Sequence, residues 1–431
     1  MTGHTARRTF LPTTALLLAV AGSLSLIPEG LVRAQAPGGT AVFEGARIIN
    51  GTGGPGVENG VLVVEGARIT AVGRAGAVRP PAGATRISLT GKTMMPAIYD
   101  THTHLSSDRA MLESELKAKA YYGVAVAMSM GQDTGNVPFE VRANPIPGAA
   151  LFRTAGRGLT MPEPGRTTAP YWVTTEAEAR TAVRELAAKQ VDIVKIWVDD
   201  RNGTVKKMPP EIYIPIIDEA HKQGLRVNAH LFNLVDAKGL LKAGLDAMAH
   251  GVRDMDVDNE FLTLVKQRKN LVLGPNLPDR GVATDMSWLS DSVPPAELAK
   301  LQAAATDRPE AQKFYGIQAR NLAMMAAAGV RLVLGSDGNI PYAHHIEMAD
   351  MVAAGLTPMQ VIVAATRNGA EFMRLKDMGT LEAGKSADFV VLDANPLDDI
   401  TNTRKMTAVY LRGAMVDRAS LRTKWMGGGT R

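Results

Sequence analysis

Hydrophobic and polar positions follow two textures along the chain. Residues 41–93 alternate apolar and polar side chains in short runs, as in "TAVFEGARIING", "GVLVVEGARITAVG" and "TRISLTGKTMMPAI", broken by Gly-rich turns. Period-two alternation with such turns predicts half-buried strands. The C-terminal stretch returns to the same texture in "GKSADFVVLDANP" and "MTAVYLRGAMVDR". Between them, eight short apolar runs occur: "MMPAIYDTH", "GVAVAMSMG", "GAALFRTAG", "VDIVKIWVD", "LRVNAHLF", "LDAMAHGV", "NLVLGPNL" and "VRLVLGSDG". Helical patterns such as "TTEAEARTAVRELAAKQ", "PEIYIPIIDEAHKQG" and "QKFYGIQARNLAMMAAAG" separate most of them. Eight strand–helix repeats in residues 94–375 predict a (β/α)8, TIM-like barrel. Residues 37–93 and 376–431 then predict a small β-sandwich domain built from both chain ends. The connections 157–173 and 276–308 are long for such a barrel and read as substrate lids.

Composition narrows the picture. The 431 residues carry 45% hydrophobic and 21% charged side chains and a net charge of +5, the balance of a globular protein. No Lys/Arg run interleaved with aromatics stands out, which argues against a nucleic-acid partner. There are no cysteines, so disulfides, thiolate metal sites and a cysteine nucleophile are excluded. Residues 1–36 have Arg7 and Arg8 before an apolar stretch too short for a confident membrane span, then "AQA". That is the layout of a signal peptide, cut after Ala34 or Ala36, and its paired arginines resemble a twin-arginine signal. The expected location is periplasmic or secreted, with no membrane span in the mature form and a homo-oligomer left open.

The candidate chemistry sits at strand ends. "DTHTHL" puts His102 and His104 two residues apart, on one face of a strand. His230 closes the fifth run, His250 the sixth and Asp337 the eighth, and Lys195 lies inside the fourth. Strands of a parallel barrel finish at one rim, where active sites lie, so these six residues are expected to converge. Imidazole and carboxylate together suit zinc, ahead of iron or manganese. Lys195 stands out because burial disfavours an ammonium. Candidate substrate contacts are Arg253, Trp197, His344 and His345.

"MPAIYDTHTH", the strand-four lysine, the histidines of strands five and six, "GSDG", "AATRNGAEFM" and "MGTLEAGKSADFVVLDANPLDDI" together resemble the metal-dependent amidohydrolase superfamily. The similarity is greatest to its imidazolonepropionase-like and Xaa-Pro dipeptidase-like branch. The resemblance implies two divalent ions, His102, His104 and Asp337 holding one and His230 and His250 the other. It implies that Lys195 is N6-carboxylated and bridges them, and that a metal-bridging hydroxide attacks while Asp337 acts as general base and acid. The implied reaction on a small molecule is hydrolysis of an amide, peptide or cyclic amide. A lactone, ester or phosphotriester hydrolase with the same site is the alternative, and a non-catalytic periplasmic metal-binding protein the third reading. Two departures stand out. "MPAIYD" replaces the usual "MPGLID", and Leu231-Phe232 follow His230 where dipeptidase-like members often carry Ala-Tyr.

Overall fold

The computed structural model describes residues 39–427. The residues read as a signal peptide lie outside them, as do Arg7 and Arg8. No described helix is long and apolar enough to cross a membrane.

The N-terminal strands are β1 (Thr40–Ile48), β2 (Val57–Glu65), β3 (Arg68–Arg74), β4 (Thr85–Ser88) and β5 (Thr93–Pro96). The central strands are β6 (Ile98–Thr103), β7 (Val124–Ser129), β8 (Leu151–Thr154), β9 (Leu159–Thr160), β10 (Tyr171–Trp172), β11 (Val194–Val198), β12 (Val227–Leu231), β13 (Ala247–Ala249), β14 (Val272–Gly274) and β15 (Arg331–Leu332). The last are β16 (Phe389–Leu392), β17 (Met406–Leu411) and β18 (Ala414–Met415).

All eight apolar runs of the middle region form strands, and the architecture is a TIM-barrel-like α/β fold. Its parallel strands fall into two arcs, β6-β7-β8 and β10-β9-β11-β12-β13-β14-β15. Backbone hydrogen bonds cross both gaps between the arcs. Thr101 donates to the Leu334 carbonyl and Asp192 to that of Thr154, each at 2.9 Å. β6, β7, β11 and β12 are buried at every position. That is the signature of parallel strands covered on both faces. The helices between them start on local signals. Thr175 and Glu178 form a reciprocal capping box for Glu176–Ala188, and Asp108 caps Arg109–Tyr121. The connection 157–173 holds β9 and β10, two short strands that the sequence pattern did not suggest.

The chain ends meet in one eight-stranded sheet ordered β18-β17-β16-β5-β1-β2-β3, with β4 also on β1. A small β-sandwich was expected from both chain ends, and their strands form one continuous hydrogen-bonded sheet. Ala41–Glu44 of β1 pair with β4, whereas Arg47 and Ile48 pair with β5, and the register shifts between. A bulge lets one strand serve two partners and bends it. The sheet therefore curls: the Phe43 ring lies 5.0 Å from those of both Phe389 and Tyr410, on strands two and three places away.

Candidate metal centre

β6 delivers His102 to the rim with its side chain buried, and His104 follows half-buried just past the strand end. Asp337 follows β15 and is tied back to β6, because the Ser336 and Asp337 amides both donate to the His102 carbonyl. Beneath them a buried ion pair locks the same two elements. Lys119 donates to Asp100 at 2.7 Å, and Asp100 accepts from the Ser336 amide and hydroxyl. Asp337 Oδ1 lies 3.2 Å from Nε2 of both His102 and His104, and its Oδ2 lies 3.6 Å from His250 Nε2. The His230 and His250 rings stand 4.7 Å apart. In register, Trp197 faces His230 and His230 faces Ala249, so β11, β12 and β13 present neighbouring ends to one space.

The ring nitrogens divide into engaged and unengaged ones. His102 Nδ1 meets Asn276 Oδ1 at 3.0 Å; the amide oxygen only accepts, so Nδ1 carries the proton and Nε2 keeps its lone pair. His102 Nε2, His250 Nε2 and Lys195 Nζ are buried without any hydrogen-bond partner. Ligand atoms of His102, His250 and Asp337 all lie within 4.8 Å of one another. Burial, with the charge of Lys195 adding to it, holds His102 well below the ordinary histidine range. Burial does the same to His250 and His230. Burial opposes the charge on Asp337, but the surrounding imidazoles of His102, His104 and His250 overcome it and keep the carboxyl ionised. Neutral imidazoles and a carboxylate around unpartnered buried atoms are what a divalent cation requires.

Lys195 is fully buried, and burial pushes its amine down to about 7 against the attraction of Asp337. Its room depends on glycine. A Cβ on Gly131, where φ is +90°, would lie 2.7 Å from the Trp197 ring and 2.9 Å from Lys195 Cγ. A Cβ on Gly158 would overlap the same ring.

Residues 93–416 match the amidohydrolase family model. The chain belongs to the amidohydrolase family. This makes it a hydrolase whose reaction class is the C–N bond. It is 25% identical over 381 residues to the imidazolonepropionase of Shouchella clausii, covering 78% of this chain and 80% of the relative. It is 25% identical over 432 residues to the ochratoxinase of Aspergillus niger, covering 86% and 84%. Among solved structures, molinate hydrolase superposes with a TM-score of 0.72 at 20% identity, covering 92% of this chain and 99% of that one. A Xaa-Pro dipeptidase with bound methionine gives 0.70 at 20%, covering 87% and 99%. These two structural likenesses support the fold.

Three of the nine non-glycine residues with positive φ among the described residues sit at the centre of this amidohydrolase. His250 (φ 90°), Asn276 (φ 41°) and Asp337 (φ 50°) are left-handed without being glycine. Each such residue costs roughly 1–3 kcal/mol and persists only where neighbours dictate it.

The four expected substrate contacts are placed differently. His344 and His345 are buried at the start of the helix Ala343–Ala353, with both Nε2 atoms on the Tyr122 carbonyl, at 2.9 and 3.1 Å. His345 Nδ1 is also engaged by Thr403. They were expected as substrate contacts; in the fold both Nε2 atoms hold a helix, and His344 Nδ1 is buried without a hydrogen-bond partner. Trp197 is 5% exposed and wedged against Gly131 and Gly158, with Lys195 Nζ 5.3 Å from its ring. It packs the lysine instead of lining an open pocket. Arg253 does reach the centre, but it is held there. It donates to Gln318, to the Asn276 carbonyl and to His250 Nδ1 at 3.0 Å, and it stacks 4.1 Å from the Phe232 ring centroid. Asn276 and Asp199, which touch His102 and His230, were missed. "GPNL" and "WVDD" put a polar residue just past a strand end, and that was the available signal.

Proposed function

We propose that this chain is a metal-dependent amidohydrolase that cleaves a C–N bond, in an amide, peptide or cyclic amide, of a small molecule. The observation that carries this is that ligand atoms of His102, His250 and Asp337 lie within 4.8 Å of one another, with both Nε2 atoms buried and unpartnered, while Lys195 Nζ, also buried without a partner, acts electrostatically on the same group. The imidazolonepropionase and ochratoxinase relatives support the bond class. His102, His104 and Asp337 would hold one divalent ion, zinc first, and His230 and His250 the other, with a carboxylated Lys195 between them. When bound, such ions acidify water and polarise a carbonyl.

The side chains have separable tasks. Asp337 is the base: its carboxylate accepts a proton and returns it to the leaving nitrogen. Asn276 keeps the His102 lone pair facing the centre. An arginine only donates, so its bond to His250 Nδ1 leaves the proton on Nε2. For His250 Nε2 to hold an ion, its proton would have to sit on Nδ1, and Arg253 would keep the Asn276 carbonyl, which it already meets at 3.0 Å. Lys195 could become a carbamate because its depressed basicity leaves a large neutral fraction near pH 7, and a neutral amine attacks CO2 and releases one N–H proton to water to give the anion. As an ammonium it would repel two cations; as a carbamate it attracts them.

We also propose a sandwich-like domain from residues 37–93 and 376–431, a catalytic barrel of residues 94–375, and export by the twin-arginine route. Metal analysis of the wild type and of Lys195→Ala tests the central reading, alongside a hydrolysis screen with N-acyl-amino acids, lactones and phosphotriesters. We expect about two ions per chain, at most one in Lys195→Ala, and turnover of acyl-amino acids first. A wild type that binds no metal overturns the proposal, and turnover of lactones or phosphotriesters alone overturns its bond class.

A further inference from the structure

His230 differs from His102 in which nitrogen is engaged. Its Nε2 lies 3.0 Å from Asp199 Oδ2 and 3.5 Å from Arg201 Nη1. Arg201 Nη1 itself donates to Asp199 Oδ2 at 2.8 Å, so two donors converge on that one oxygen. A carboxylate only accepts, so the shorter contact places the His230 proton on Nε2. The Nδ1 lone pair then points away from Asp199. His102 has the opposite tautomer, set by Asn276.

Asp199 is itself held. Its Oδ1 accepts from the Arg201 amide at 3.0 Å, closing a turn in which Arg201 (φ 53°) and Asn202 (φ 58°) are both left-handed. The Arg201 guanidinium reaches on to Glu163 Oε1, with Nε and Nη2 both at 3.3 Å. Glu163 is buried in the segment 157–173 and is also bound by Thr160. A chain of charged contacts thus runs from that segment to one imidazole.

We propose that Asp199 is a positioning residue that selects Nδ1 of His230 as its metal-facing nitrogen, and that the Glu163–Arg201 ion pair holds Asp199 in that role. Carboxylate partners of this kind fix ring orientation and tautomer, and their loss typically weakens metal binding by roughly 10–100-fold. The inference rests on His230 being a metal ligand, but the tautomer can be read without any metal.

The test uses the full chain labelled with 15N in its histidine rings. The metal-free wild type should show His230 protonated at Nε2, identified by the signal missing in His230→Gln. Asp199→Ala should lose that preference and bind its second zinc about 10–100-fold more weakly. Asp199→Asn, which keeps an acceptor, should retain most of both. Arg201→Ala should show part of the defect and Arg201→Lys less of it. Thermal melting of each variant separates this from unfolding. A wild-type His230 protonated at Nδ1 overturns the proposal, as does a folded Asp199→Ala with unchanged ring signals and zinc affinity. Wild type that binds no second zinc would sink the metal reading, and the ring signals would still decide the role of Asp199.

Discussion

His102 and His250 at the rim and His344 and His345 behind it are four buried imidazoles in one chain. Burial pushes all four well below the ordinary histidine range, so burial and depressed basicity do not tell them apart. What differs is where Nε2 goes. In His344 and His345 both Nε2 atoms end on one carbonyl, that of Tyr122, which ties the helix Ala343–Ala353 to the end of Arg109–Tyr121. In His102 and His250 both Nε2 atoms end on nothing, with a carboxylate 3.2 and 3.6 Å away. A candidate site is a place where buried ring nitrogens without partners converge on a carboxylate, and a buried histidine alone is not one.

The largest break in that comparison comes from the carboxylate. Asp337→Asn should lower kcat by about 10²–10⁴-fold, the range of a lost general acid–base group. Full turnover in that variant would remove Asp337 from the chemistry. A smaller and opposite pattern is expected at the second pair. His344→Ala and His345→Ala should leave the KM of any substrate found unchanged and destabilise the fold by about 1–3 kcal/mol each, because the Tyr122 carbonyl loses a donor. Urea denaturation and steady-state kinetics check this, and a change in KM without a change in stability would return these residues to the site.

The smallest effect is a pH dependence. Burial, helped by the Lys119 charge, pushes His344 down to about 3. Its folded value lies below its unfolded one, so below pH ~6.5 the unfolded chain binds the extra proton. The contribution is therefore full above that pH and is lost as pH falls toward 3. Between pH 7.5 and 5.5 the loss should be about 1 kcal/mol. Asp133 and Asp350, each pushed up to about 6 by burial, act in the opposite direction. The difference between wild type and His344→Gln cancels them. Equal pH slopes in the two proteins would show that His344 does not titrate in this way.

The strands were legible because alternation and apolar runs are local. "DTHTHL" placed two imidazoles on one face, and Lys195 was conspicuous within "VDIVKIWVDD" because burial and an ammonium conflict. His344 and His345 were misplaced for an equally physical reason. "PYAHHIEM" gives no sign that a carbonyl 222 residues away receives a ring proton. The eight-stranded terminal sheet was only half legible, since the pattern shows which face of a strand is buried and not that β1 changes partner midway.

By itself, the sequence determined the element types and put forward six candidate residues at the ends of the parallel strands, of which His102, His250 and Asp337 bring ligand atoms within 4.8 Å of one another. The element types and the candidates follow from strand periodicity and from the shared polarity of parallel strands. Tertiary structure alone decided which nitrogen of each histidine is unengaged. Asn276 reaches His102 across 174 residues and Asp199 reaches His230 across 31. A tautomer is set by the partner on the far side of the ring, and that partner is chosen by packing in space, not by spacing along the chain.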